Sequence, residues 1–299
     1  MNAALVIGEA LTDIVSTEGE STEYPGGSPY NVAISLGRLG NDVALLTSLG
    51  SDFRGAEIVK RLDESHVRVE PASLRRGPTS TAQARIEADG SATYSFDILW
   101  DLPEWRPTRE FRVIHAGSIA LFLQPGAAQV KQILRAGHRD SMITLDPNIR
   151  PALLGSHRET LEHFESLLSI ATVVKLSDED ASWLYPNLGI DEVMLRMLAA
   201  GPSVAIATRG PSGSLLASRT ARVEVASVPT PVADTIGAGD SYMGAIIHAM
   251  LTGHFGGQLR QGDEIGRDRL AEAGAFAARV AAITVSRSGA NPPWKRDLA

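Results

Sequence analysis

In the stretch "VADTIGAGDSYMGAIIHAML", Val232 to Leu251, three small residues, Gly237, Ala238 and Gly239, lead directly into Asp240. Met243, Ile246, Ile247, Met250 and Leu251 follow at helical spacing and form one apolar stripe. A helix that starts here offers unpaired amides and a partial positive charge at its N-terminus, which is a natural seat for an anion. The sequence thus plants a carboxylate beside a site built for negative charge. Taken alone, the short stretch is also satisfied by Asp240 as a capping acid after a Gly-rich turn.

A second stretch, "GGSPYNVAISLGRLG", opens with Gly26 and Gly27, which allow close approach of backbone to a ligand. Ser28 fits an N-cap and Pro29 the first helical position, which puts Asn31 in the first turn and Val32, Leu36 and Leu39 on the buried face. A capped helix after a tight turn explains the same residues. Asp13 closes the first strand region, where a carboxylate has acceptor sites for paired hydroxyls or serves as a turn residue. In "DPNIRPAL", Asp146, Asn148 and Arg150 lie just past a strand. Arg150 is placed either to meet a phosphate or substrate carboxylate bidentately or to pair with Asp146. The seven histidines show no metal-ligand spacing. Neither a G-x-x-x-x-G-K-[ST] loop nor a G-x-G-x-x-G turn occurs.

These residues need a scaffold, and the chain supplies a repetitive one. "AALVIGEAL", "DVALLTSLG", "RVIHAGSIAL", "MITLDPN", "TVVKLS" and "SVAIATRG" read as strands, mostly continuous runs suited to a parallel sheet covered on both faces. Helical patterns over 31–39, 55–65, 125–136, 158–170, 178–183 and 192–199 lie between them. This is the βαβ rhythm of a doubly wound α/β domain, and all 299 residues fit one such unit. Two polar excursions break the rhythm, at about 12–25 and 73–102, the second with strand-like alternation around an Asp89-Gly90 turn. Paired together, they would form a small β-sheet over the ligand edge of the main sheet, a candidate lid. Tyr94, Phe96 and Trp100 would be its core or one of them would face a sugar, and apolar outer residues would let two copies dimerise.

Composition narrows the function. A net charge of −7 argues against a broad basic face for nucleic acid or anionic lipid, and the absence of cysteine excludes disulfides and thiolate metal sites. "MNAALVIGEALTDIV" reads as a buried strand, with no basic start, and no apolar run approaches a membrane span. A cytoplasmic protein acting on small molecules is the expectation.

Together, "GGSPYNVAISLGRLG" and "DTIGAGDSYMGA" resemble the two signatures of the ribokinase/PfkB sugar kinases, in the order that family shows, with further matches from "GEALTD" to "SRSGA". The resemblance implies a ribokinase-like α/β fold with a β-lid. It implies that Asp240 is the general base for a sugar hydroxyl, and that Gly237, Ala238, Gly239 and the Asp240 amide cradle the γ-phosphate of ATP. Asp13, Gly26, Gly27 and Asn31 fall on sugar-binding positions, and Arg150 lies in a segment bordering the substrate and phosphate sites. Thr208, Gly210 and Gly213, in "ATRGPSGSLLAS", match nucleotide contacts, although a hairpin turn around Pro211-Ser212 accounts for them too. "KLSDEDASWLY" departs from the family's Asn-x-x-Glu element. Its Ser177 and Asp180 form a near capping box as readily as an outer magnesium site. Asp234, Ile236, Thr284, Arg287 and Gly289 match the two arms of a main-chain K+ site.

The implied activity is ATP- and Mg2+-dependent phosphorylation of a primary hydroxyl, with fructose the leading substrate. "TYSFDILWDLP" replaces an arginine-containing lid segment of fructokinases, which leaves 2-keto-3-deoxygluconate or another sugar as the alternative. A non-catalytic sugar or nucleotide sensor on the same fold is the reading from another class.

Overall fold

A computed structural model describes residues 3–17, 20–86, 92–253, 255–261 and 263–298. In chain order the first strands are β1 (Ala3–Ile7), β2 (Leu11–Thr17), β3 (Glu20–Gly26), β4 (Asp42–Leu46), β5 (Leu49–Gly50), β6 (Val67–Val69) and β7 (Leu74–Arg75). The rest are β8 (Thr81–Ile86), β9 (Ala92–Asp97), β10 (Val113–Gly117), β11 (Met142–Asp146), β12 (Val173–Ser177), β13 (Val204–Thr208), β14 (Ser214–Ala217) and β15 (Arg222–Val225). The helices are α1 (Ser28–Arg38), α2 (Phe53–Glu64), α3 (Gly126–Gly137), α4 (His157–Leu168), α5 (Asp178–Leu184), α6 (Ile190–Ala200), α7 (Ala238–Thr252), α8 (Phe255–Gln261) and α9 (Arg267–Val285).

Nine strands make the main sheet in the order β15-β14-β13-β12-β11-β10-β1-β4-β6, parallel from β6 to β13 and antiparallel beyond. The continuous apolar strands are explained by burial on both faces. Ala4 and Val6 pack with α1, α2, α7 and α9, while Leu5 and Ile7 pack with α3 to α6. A fully buried valine or leucine contributes roughly 1.5–3 kcal/mol, so these two layers dominate stability.

Helix α1 is buried on every side, because it lies between the sheet and α7. The approach to α7 is close: a Cβ on Gly244 would fall 2.6 Å from the Ser35 hydroxyl oxygen. Only glycine permits that spacing.

The two polar excursions do pair, into a four-stranded sheet of order β3-β2-β8-β9. One row of its register runs Tyr24, Asp13, Ala82, Phe96, which puts these four on one face. The second excursion is shorter than the sequence suggests. Leu74–Arg75 pairs instead with Leu49–Gly50, and Trp100 and Leu102 are buried in the main core, where Trp100 donates to the Ala120 carbonyl at 3.2 Å. Apolar residues at 100 and 102 gain more from that core than a thin sheet offers. The Asp89-Gly90 turn lies outside the described residues. Two elements not read from the sequence, the β14–β15 extension and α9, complete the cleft-bearing end.

Candidate active site

Strand β1 leads toward β4 on one side, whereas β10 leads toward β11 on the other. Their C-terminal ends therefore diverge, opening the crevice in which α/β sheets bind ligands. A cleft of about 2260 Å³ occupies this edge and runs under the small sheet; Glu9, Asp13, Asn31, Lys175 and Asp240 line it.

Asp240 is buried in the first turn of α7, whose N-cap, Gly237, has the left-handed φ of 76°. Its oxygens do not cap that helix. Oδ1 accepts from the Ser28 hydroxyl at 2.6 Å and Oδ2 from the Asn31 amide at 2.8 Å. This arrangement corrects the expected N-cap of α1: Gly27 takes that position, and the Ser28 side chain is free to reach Asp240. Burial pushes the Asp240 carboxyl above the usual range, against the bonds from Ser28 and Asn31 and the charges of Lys175 and Arg150.

Gly26 and Gly27 are required by this chain's own packing. A Cβ on Gly26 would lie 1.9 Å from Asp13 Oδ2, and one on Gly27 (φ 108°) would lie 2.6 Å from the Glu9 carbonyl. Asp13 in β2 is raised to about 6, mainly by burial, with Arg150 opposing. Glu9 is buried, its Oε2 has no hydrogen-bond partner, and burial pushes it to about 8. Two non-glycine residues of the cleft wall, Ser118 (φ 56°) and Asn148 (φ 36°), hold left-handed backbone, a strain that clusters at functional sites.

Arg150 is exposed on the cleft wall and donates to its neighbour's carbonyl, Ile149 O, at 3.1 Å. The partner of Asp146 is Lys175 instead, at 2.7 Å, with both side chains almost fully buried. Asp180 realises the capping box with Ser177, and its carboxylate accepts from the amides of Ile149 (2.7 Å) and Ser177 (2.9 Å). Among the described residues no group of three acids or histidines is gathered into a metal cage. Asp178, Glu179 and Asp180 share one wall of the cleft. That donor set fits a magnesium ion carried in on nucleotide phosphates, which needs only one or two carboxylates and water.

Thr208, Gly210 and Gly213 surround the β13–β14 hairpin, where a Cβ on Gly213 would meet the Val225 carbonyl at 2.1 Å. All three line the cleft. The Asp234 carboxylate bridges two loops, accepting from the Ile236 amide at 3.0 Å and the Gly289 amide at 2.9 Å. Beside it, Thr284 is buried with its hydroxyl on the Val280 carbonyl, and Arg287 pairs with Asp297 at 2.9 Å.

The structure thus gathers Asp13, Gly26, Gly27, Asn31, Arg150, Gly237, Ala238, Gly239 and Asp240 at one edge. Sequence reasoning overlooked Glu9 and Lys175. Both carry a readable signal, a charged residue next to or inside an otherwise buried strand.

The model of the pfkB family of carbohydrate kinases matches residues 1–297. The chain belongs to that family, and with it to the phosphotransferases that use an alcohol as acceptor. A fructokinase of Rhizobium leguminosarum bv. trifolii is 30% identical over 260 residues, 82% of this chain and 79% of that one. Among solved structures, the ATP-bound fructokinase of Xylella fastidiosa superposes with a TM-score of 0.86 at 24% identity, covering 99% of this chain and 97% of that one. A double mutant of the Vibrio cholerae O395 fructokinase, with fructose, ADP and a potassium ion bound, gives 0.81 at 21% identity over 97% and 94%. These likenesses carry the ribokinase-like fold.

Proposed function

We propose that this kinase transfers the γ-phosphate of ATP to the primary hydroxyl of fructose in the cytoplasm. The observation that carries the reading is the orientation of Asp240. Both of its oxygens turn away from its own helix amides toward α1, so the carboxylate and the amides remain separate tools in one helical turn.

The sugar oxygen attacks the γ-phosphorus, the bond to the β–γ bridging oxygen breaks, and ADP leaves. Asp240 takes the hydroxyl proton. Its burial raises its basicity, and Ser28 and Asn31 fix its direction. The amides of Gly237, Gly239 and Asp240 face the negative charge of the phosphoryl group in transfer, whereas the Ala238 amide, expected to join them, donates to the Thr235 carbonyl at 3.3 Å. Magnesium on the nucleotide supplies charge neutralisation there, and Asp178, Glu179 and Asp180 are the acids that would hold its water shell.

Asp13, on the cleft face of the small sheet, is the acceptor for paired sugar hydroxyls, with Asn31, the Gly26-Gly27 turn and Arg150 around them. Tyr94 and Phe96 share its face and are 64% and 38% exposed, so they are not the buried core of the small sheet that the sequence suggests and stand open to a sugar. Thr208, Gly210 and Gly213 border the nucleotide. The fructokinases among the relatives support fructose over 2-keto-3-deoxygluconate. ADP release with ATP, magnesium and a panel of fructose, 2-keto-3-deoxygluconate, ribose and adenosine tests this. The highest kcat/KM is expected for fructose; a preference for ribose or adenosine overturns the hexose reading, and no turnover with any sugar favours a sensor.

A further inference from the structure

Strand β12 reads Val173, Val174, Lys175, Leu176, and its alternation turns Val173 toward the α7 layer and Val174 and Leu176 toward the other. Lys175 shares the side of Val173, so it points at α7. Its side chain is 4% exposed, and its Nζ lies 3.2 Å from where a Cβ on Gly239 would stand. A full positive charge is therefore buried against the second residue of α7, the end of the helix that is already positive. The Asp146 carboxylate at 2.7 Å offsets the cost of that placement, and Asp180 and Asp240 add to the offset, so the ammonium is held charged at the N-terminus of α7.

The pairing with Asp146 does not explain it as a stabilising device. Buried ion pairs are commonly matched or exceeded in stability by apolar residues of similar volume, and the neighbours along the strand are already apolar. The bond to Asp146 uses one of three ammonium donors. Lys175 also lines the cleft, and Gly239 leaves the space between ammonium and cavity clear. His115, buried nearby, is pushed down to about 3 by burial and by Lys175, so it adds no second cation.

We propose that Lys175 is the charged member of the anion seat, its ammonium donating to the phosphoryl group in transfer alongside the amides of Gly237, Gly239 and Asp240. The inference rests on the kinase reading above and assigns a residue to it. Backbone amides offer only partial charges, whereas a preorganised cation in a water-poor site supplies a whole one as negative charge spreads over the phosphoryl oxygens.

The test compares wild type with Lys175→Met and with Lys175→Met combined with Asp146→Asn. The double variant leaves no orphaned charge, so it folds even if the single one does not, as a melting curve records. Expected for both is a loss of about 10²-fold or more in kcat, the scale of one lost transition-state donor, with the sugar KM within a few-fold. ATP affinity, measured by calorimetry, should fall several-fold more than ADP affinity. The acid limb of the rate profile should also move to higher pH. Asp240 would then face only Arg150 as a cation, against Glu9 and, in the single variant, Asp146, with the donors Ser28 and Asn31 unchanged. A double variant that regains turnover to within about five-fold of wild type, or equal losses for ATP and ADP, overturns the role and leaves a structural pair. If wild type phosphorylates no sugar, the kinase reading fails, while the ATP-against-ADP comparison still decides the contact.

Discussion

Asn31 and Asp240, 209 residues apart in the chain, are joined by a 2.8 Å hydrogen bond from the Asn31 amide to Asp240 Oδ2. With Ser28 on the other oxygen, the carboxylate is aimed from both sides. Asp240→Asn keeps the shape and removes the proton acceptor. Turnover should fall about 10²–10⁴-fold, while ATP affinity and the melting temperature stay close to wild type. Steady-state rates beside an ATP titration check this, and turnover within a few-fold of wild type would refute the base.

Glu9 gives the protein a pH-dependent stability. Its folded pKa of about 8 lies above the ordinary 4.5, because burial disfavours the charged form. The folded state therefore keeps a proton that the unfolded chain has lost. The resulting contribution is complete below pH 4.5 and disappears as pH rises through 8. Glu9→Gln cannot ionise, so it should gain on wild type between pH 5 and 9 by on the order of 3–5 kcal/mol. Urea unfolding at the two pH values measures the difference, and a constant gap between the proteins rules it out.

Asp180 ties the start of α5 to the loop after β11 through the amides of Ser177 and Ile149. Truncation to alanine leaves both donors without that partner and removes one half of a capping box. A loss of roughly 1–3 kcal/mol in denaturant unfolding is expected, independent of any metal. A stability unchanged within error would show that the wall does not depend on it.

Asp234 holds the Ile236 and Gly289 loops together, and these flank the N-terminus of α7. A potassium ion bound to their carbonyls would tune that terminus. Replacing potassium by tetramethylammonium should lower kcat severalfold in wild type and have little effect in Asp234→Ala, whose loops are no longer bridged. Equal rates of wild type in both salts would dismiss the cation.

Much of this was legible in sequence because parallel strands and apolar helix stripes are local patterns. "TVVKLS" and "MITLDPN" read as strands without knowledge of their neighbours. What was hidden depended on distant partners. Arg150 suggested itself as the partner of Asp146 because it lies four residues on, and only the sheet register, which sets β11 beside β12, brings Lys175 to Asp146. Ser28 looked like a cap because its partner, on the adjoining helix α7, lies 212 residues away. Trp100 was assigned to the small sheet because alternation alone cannot tell a thin sheet from the edge of a deep core.

The Ser35–Gly244 contact links packing to reactivity. Ser28, Asn31 and Ser35 ride on one rod, Asp240 and Gly244 on the other, and the rods touch where a methyl group would not fit. A side chain at 244 would wedge them apart one turn below the cleft and carry Asn31 and Ser28 away from the acid they aim. Such a lesion would register in rate before it registered in fold. Asp13, Tyr94 and Phe96 stand on the separate small sheet, outside that joint. On the proposed reading, exchanging Tyr94 or Phe96 would alter the surroundings of the acceptor and leave the bonds from Ser28 and Asn31 to Asp240 in place.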